Sequence, residues 1–134
     1  MSGIDAERIH QLLLHAQSKF IKEQLRKEEE LVEAFLAWSL KPDVGKVERW
    51  IHYFNELAQL STPLQLEALA SSAKEYENAL LVLKENGELG PLTSTLLKGL
   101  ALIRQQLDHY DALLRSATPQ LQSYALLEPI IDDL

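Results

Sequence analysis

Apolar residues recur every three or four positions along most of the chain, the spacing that collects them on one face of an α-helix. Between Ile4 and Leu40 the sequence contains neither proline nor glycine, so nothing local ends a helix there. This stretch is predicted to form one long helix, or two that run together, with the rest of the chain folded against part of it. At about 1.5 Å per residue it would extend for roughly 54 Å.

The middle of this predicted helix is charged, because its apolar stripe thins between Gln17 and Glu30. Oppositely charged side chains four residues apart, such as Glu23 and Lys27, stabilise a helix by about 0.2–0.5 kcal/mol per pair. The middle can therefore stay helical without burial. Since the later helices are shorter, the first either extends past its bundle, straight or bent, or breaks at its charged middle. The lack of a breaker residue favours an overhang or a bend.

An overhang would leave the apolar residues from Ile9 to Ala16 without a covering element. Closed homodimers are the commonest oligomers, so a second copy of the chain is the simplest partner for this end. The pattern therefore predicts a homodimer through the N-terminal helix if that helix overhangs its bundle.

Prolines, glycines and capping residues mark the boundaries of the later helices. The predicted boundaries are Pro42-Asp43 before a second helix that runs to about Leu60, Thr62-Pro63 before a third, Asn86-Gly87 at its end, Gly90-Pro91 as a turn before the fourth, and Thr118-Pro119 before a short fifth helix that runs to about Leu127. Short connections make successive helices antiparallel neighbours. The prediction is an all-α, up-down helical bundle of four main helices, with a long N-terminal helix and a short C-terminal fifth, as a single domain over residues 1–134.

The fourth predicted helix carries the most regular apolar stripe, with spacings that alternate between four and three as in a heptad repeat. The six positions are Leu96, Leu100, Ile103, Leu107, Tyr110 and Leu114. Most of such a stripe is expected in the core of the bundle. Any part that stays exposed would suit a partner helix, and Leu100, Leu107 and Tyr110 are the candidates.

Composition limits the classes of function. The 134 residues are 46% apolar and 25% charged, which is ordinary for a globular domain, and the net charge is −7. Because the basic residues are interleaved with acids, we expect no nucleic-acid binding. The longest apolar run is too short to cross a membrane, and the polar start does not resemble a signal peptide. With no cysteine present, a cytoplasmic protein is expected.

The chemistry-bearing residues do not form a recognisable catalytic or metal site. Glu7 and His10 have the spacing of half a di-iron site, but Arg49 precedes His52 where a second glutamate would be needed. Serines and threonines lie at ordinary capping positions, and the paired carboxylates occur in charged stretches where nothing would raise their pKa. We therefore expect no enzyme, no metal and no cofactor.

Large aromatic side chains flank the turn at Pro42. Trp38 precedes this turn, and Trp50 and Tyr53 follow it. Such residues usually supply core area, so they could simply pack the first helix against the second. Alternatively, they could line a groove that binds an amphipathic helix of another protein.

The end of the sequence combines apolar and acidic residues, with Ile130 and Ile131 followed by two aspartates. This tail could dock onto its own bundle. Otherwise, Ile130 and Ile131 would form a short apolar segment able to enter a groove of another protein.

Three features resemble the FlgN-type flagellar export chaperones. They are the phrase Pro42-Asp43-Val44-Gly45-Lys46-Val47-Glu48, the sequence Leu83-Lys84-Glu85-Asn86, and the heptad-like stripe from Leu96 to Leu114. The resemblance covers Ser39 to about Tyr124. It departs from the family pattern where Gly87, Gly90 and Pro91 interrupt what is usually a continuous helix. It implies a cytosolic chaperone that holds an amphipathic helix of a secreted protein through its own C-terminal helix.

Together these observations favour a non-enzymatic protein that binds a partner amphipathic helix, itself, or both, as a chaperone, adaptor or assembly factor. Two alternatives stay open. One is a small-molecule sensor or enzyme with a pocket inside the bundle. The other is an accessory protein that meets nucleic acid only through its partners.

Overall fold

Residues 3–117 are described by the computed structural model of the chain, and every regular element among them is helical. The elements are α1 (Gly3–Arg26), α2 (Glu28–Leu40), a 3₁₀ turn (Val44–Val47), α3 (Glu48–Ser61), α4 (Glu67–Asn86) and α5 (Leu89–Arg115). This confirms the predicted all-α bundle. The predicted fifth helix, Ile130 and Ile131 lie outside the described residues.

Residues 3–40 form two helical pieces that meet at Lys27. The backbone of Lys27 stays in the right-handed helical region, at φ −78° and ψ −10°. Its N–H donates to the carbonyls of Glu23 and Gln24, and its own carbonyl accepts from the N–H of Leu31. The charged middle therefore interrupts the long helix without placing a loop between α1 and α2.

The core is centred where α3, α4 and α5 meet. Phe54 of α3 is fully buried, and its ring stacks on Tyr76 of α4 with a centroid separation of 6.0 Å. Gly99 of α5 lies against both rings, so closely that a Cβ there would be 2.9 Å from Cδ1 of Tyr76 and 3.1 Å from Cζ of Phe54. The absence of a side chain at Gly99 is what allows α5 to approach its two neighbours.

Two predicted boundaries are wrong in detail. The hydroxyl of Thr62 donates to the carbonyl of Ala58, so Thr62 ends α3, and α4 begins only at Glu67. Gly90-Pro91 lies inside the first turn of α5, where a proline is tolerated because the first N–H groups of a helix have no intrahelical acceptor. The predicted start at Pro42-Asp43 is confirmed, because Asp43 caps the 3₁₀ turn that leads directly into α3 and its carboxylate accepts from the N–H of Gly45.

The predicted end of the third helix is confirmed. Gly87 adopts a left-handed conformation with φ 68°, and its N–H donates to the carbonyl of Lys84. The N–H of Glu88 donates to the carbonyl of Leu83. This arrangement satisfies the last carbonyls of α4 and turns the chain directly into α5.

The pieces α1 and α2 run antiparallel to α5. Arg104 of α5 forms an ion pair with Glu28 at the start of α2. Further towards the N-terminus, the amide of Gln17 donates to the carbonyl of Leu64 at 2.7 Å, in the segment that leads into α4. Later in α5, the Tyr110 hydroxyl accepts from the N–H of Ala68, at the start of α4. Gln17 therefore lies near the end of α5.

The start of α1 consequently extends beyond the rest of the described bundle. Residues 6–10 are all exposed, and Ile9 keeps 57% of its surface accessible. Leu13 to Ser18 are half-buried, with Leu14 packed against the core, and full burial begins at Phe20 and Ile21. The described residues therefore combine an exposed start of α1 with an interruption at the charged middle, the two features that the sequence offered as alternatives. Within residues 3–117, no helix has the length and apolar character required to cross a bilayer.

Candidate helix-binding groove

An open groove of about 420 Å³ runs between α2 and α5. Its walls are almost entirely apolar: Leu31, Val32, Phe35 and Leu36 from α2, Leu97, Leu100, Ala101, Ile103 and Leu107 from α5, and Tyr53 of α3. Three of these side chains are largely accessible, with 49% of Val32, 55% of Leu36 and 53% of Leu97 exposed. Exposed leucines and valines that line one groove, rather than lying scattered, are typical of a contact surface.

An ion pair joins the two walls of this groove. Arg104 pairs with Glu28 across it, and the Arg104 Nε lies 3.0 Å from both carboxylate oxygens of Asp108. The guanidinium therefore has acidic partners on two helices. The groove thus offers an apolar floor with a fixed polar boundary, which can orient a bound segment.

A second groove, of about 500 Å³, lies on the other side of α2, against α3. Trp38, Trp50 and Tyr53 line it, together with three basic residues at its rim, Lys41, Lys46 and Arg49. The indole N–H of Trp38 is enclosed and has no hydrogen-bond acceptor in residues 3–117. The helix α2 therefore has an open groove on each side.

The structure divides the candidate residues from the sequence into two groups. Trp38, Trp50 and Leu107 are buried, with at most 7% of their surface exposed. Tyr53 and Leu100 are half-buried and line the groove between α2 and α5.

The half-buried Tyr110 lies apart from this groove, where its hydroxyl joins α5 to the start of α4. Trp38 and Trp50 are buried in the core and also line the groove between α2 and α3. The sequence left core packing and groove lining as alternatives for these two residues, and the structure has both.

The most exposed residues of the groove were not singled out from the sequence. Val32 and Leu36 belong to the returning apolar stripe of the first helix, and Leu97 lies next to the stripe of the fourth. A helical stripe shows which residues share a face but not whether a neighbour covers it. Apolar residues beside the regular stripe, such as Leu97 next to Leu96, are the feature of the sequence that indicates an exposed apolar surface.

Glu77 of α4 is a buried carboxylate in the described part of the chain. Burial alone would raise the pKa of Glu77, but hydrogen bonds from Lys74 and Asn55 and the charge of Lys74 hold it below its usual value. Glu7 and His10 are both exposed on α1. In the described part of the chain, no group of three or more acidic or histidine side chains could hold a metal ion.

Burial raises the pKa of Tyr53 to about 12 from a usual value of 10. The neutral phenol therefore contributes stability that is complete below pH 10 and is lost as the pH rises from 10 to 12. Between these pH values we expect the free energy of unfolding of the wild-type chain to fall by up to about 2 kcal/mol more than that of Tyr53→Phe. Urea denaturation at pH 8, 10 and 11.5 measures the difference. Equal losses in the two proteins would show that the Tyr53 hydroxyl is not shielded from water.

Comparisons of this chain with protein-family models, curated protein sequences and solved structures gave no significant match. The resemblance to flagellar export chaperones therefore stays a hypothesis.

Proposed function

We propose that this chain is a non-enzymatic helix-binding protein that acts as a chaperone, adaptor or assembly factor, with the groove between α2 and α5 as its binding surface. The observation that carries the proposal is the row of exposed apolar side chains along that groove, namely Val32, Leu36 and Leu97. An amphipathic helix presents apolar residues every three or four positions and fits such a groove by burying them. The flagellar-chaperone resemblance favours the same class of ligand.

The charge pattern favours a partner helix that is neutral or basic on its polar face. The net charge of −7 attracts such a segment, and Glu28 lines the groove while Asp108 lies beside it as a partner of Arg104. A helical segment of about eight residues would occupy the length from Leu36 to Glu28, since these residues span about 12 Å along α2. A cytoplasmic location and the absence of catalysis are part of this proposal.

The test compares two leucines of α5 that have the same exposure. Leu97 lines the groove and Leu113 does not, yet each has 53% of its surface accessible. We expect Leu97→Gln to weaken binding of the partner helix about tenfold or more, because it places a polar group at a contact the helix must cover. Leu113→Gln should bind like the wild type. Affinity capture from the native lysate, followed by titration of the captured partner's helix, provides both measurements.

Val32→Gln on α2 and Val82→Gln on α4 form a second matched pair. Loss of binding with Val32→Gln but not Val82→Gln would place the contact on both walls of the groove. A partner that binds all four variants equally would disprove the assignment. Turnover of a small molecule by the purified chain would favour the pocket-containing enzyme instead.

A further inference from the structure

The groove between α2 and α3 combines apolar walls with a basic rim. Its walls are aromatic and aliphatic, and its rim carries three exposed basic side chains, Lys41, Lys46 and Arg49. From this arrangement we propose that the groove binds a long-chain carboxylate, with the carboxylate at the basic rim and the acyl chain along the apolar walls. This ligand site is additional to the helix-binding groove on the other side of α2 and does not depend on it.

The positive charge of this rim is not neutralised by ion pairs. None of the three basic side chains forms one with another residue in 3–117, although basic residues elsewhere, such as Arg104, do. The acids closest in sequence have other partners, since Asp43 accepts from the N–H of Gly45 at 2.8 Å. Glu48 pairs with Lys84 of α4. In a chain of net charge −7, the rim is therefore a local surface that attracts an anion.

The distribution of charge along α2 and α3 sets the direction of the ligand. A neighbouring cavity of about 360 Å³ shares Tyr53 and Arg49 with this groove. It is lined by two acids and two bases, namely Glu30, Glu56, Lys27 and Arg49. Because these charges offset one another, the excess of positive charge lies at the other end, with Lys41 and Lys46. The carboxylate therefore belongs at the end next to the Pro42 turn, and the acyl chain extends away from it.

The size of the groove suits an acyl chain. Leu31, Ala34 and Trp38 line it at successive turns of α2, and Lys41 follows them. At about 1.5 Å per residue, the ten residues from Leu31 to Lys41 extend over roughly 15 Å, the length of an extended acyl chain of about twelve carbons. The volume of about 500 Å³ lies within the usual range of small-molecule sites, roughly 300–1,000 Å³. Binding would remove apolar surface of the chain and of the groove from water together.

The indole N–H of Trp38 is a second, independent indication of a ligand. Only 7% of the surface of Trp38 is exposed, and its N–H has no acceptor in residues 3–117. A buried donor without an acceptor destabilises a fold, so an acceptor brought by a ligand is favourable. Because the N–H is enclosed, it reaches a carboxylate in the groove only when the ring turns towards it. Ligand binding should therefore change the surroundings of Trp38.

Intrinsic fluorescence of the full chain measures this change, because Trp38 and Trp50 are its two tryptophans and both line the groove. The probes are dodecanoate, dodecyltrimethylammonium, which joins a chain of the same length to a positive head, and acetate, which lacks the chain. Below its micellar concentration, dodecanoate should shift the emission and bind about tenfold or more tightly than dodecyltrimethylammonium. Acetate should leave the emission unchanged.

Three results with these probes would overturn the proposal. Equal affinity for the two long-chain probes would mean that the groove selects apolar surface and not an anion. A shift with acetate at the same concentration would mean that the chain adds nothing. No response to dodecanoate would remove the site altogether.

Single substitutions locate the carboxylate. Lys46→Gln and Arg49→Gln should each weaken dodecanoate binding by roughly three- to tenfold, since each removes one positive charge from the rim. Lys98→Gln is the matched control, because it removes an exposed lysine of α5 that does not line this groove. An equal loss in Lys98→Gln would indicate a general effect of net charge and contradict the assignment.

Leu97→Gln separates this site from the groove between α2 and α5, which Leu97 lines. Dodecanoate should bind this variant like the wild type, even though the variant is expected to lose its partner helix. Weaker dodecanoate binding in Leu97→Gln, with unchanged binding in Lys46→Gln and Arg49→Gln, would place the carboxylate in the other groove and refute the proposal.

Discussion

Phe54→Ala should be among the most damaging single substitutions in this chain, at a cost of about 3–5 kcal/mol. The ring is fully buried and contacts all three helices of the core, so its removal leaves a cavity that neither the Tyr76 ring nor the α5 backbone at Gly99 can fill. Small domains are stable by only about 5–15 kcal/mol, so roughly a fifth or more of the total would be lost. The midpoint of urea denaturation measures this cost.

The control for Phe54 is Leu60→Ala, on the same helix but with 46% of its surface exposed. Its expected cost is within about 0.5 kcal/mol, because most of that side chain is already in water. Phe54→Leu, which retains more of the volume, should fall between the two. If Phe54→Ala cost no more than Leu60→Ala, the core would have to be centred elsewhere.

Gly99→Val should destabilise the fold by about 3 kcal/mol for the opposite reason, which is overpacking. A Cβ alone would lie 2.9 Å from Cδ1 of Tyr76, and valine adds two methyl groups beyond it. Replacing glycine in an ordinary helix interior would instead stabilise it by up to about 1 kcal/mol. A large loss therefore reports the close approach of α5, and thermal or urea denaturation detects it.

Gly90 of α5 provides the comparison for this substitution. A Cβ added at Gly90 would meet nothing within 4 Å, so Gly90→Val should leave the stability nearly unchanged. Similar losses at both positions would indicate a general effect of valine in α5 rather than a steric clash at position 99. In that case the contact of Gly99 with the two rings would not limit the packing of α5.

The sequence predicted the helices better than the surfaces between them. The stripe from Leu96 to Leu114 identified the buried face of α5, because helical periodicity is a local property. Gly99 could not be recognised, since the rings it accommodates come from positions 23 and 45 residues earlier in the chain. The capping pair Thr62-Pro63 was misread because a threonine hydroxyl can end a helix as well as begin one.

The candidate site was only partly predictable for a related reason. Tyr53 and Leu100 were named in advance, but the exposure of Val32 and Leu36 depends on how far α2 stands from α5. That separation follows from the interruption at Lys27, the pairing of Glu28 with Arg104 and the volume of Tyr53 beneath α2. No local pattern encodes such a distance.

The contact of Gly99 with Phe54 and Tyr76 also constrains how this sequence can change over time. The three positions share one fixed volume, so a larger residue at 99 is tolerated only after one of the two rings becomes smaller. In proteins that descend from this chain, substitutions at these three positions should therefore be correlated in side-chain volume, while most surface positions vary independently. Distant homologues would keep the linked side-chain sizes at these three positions even after overall sequence similarity has been lost.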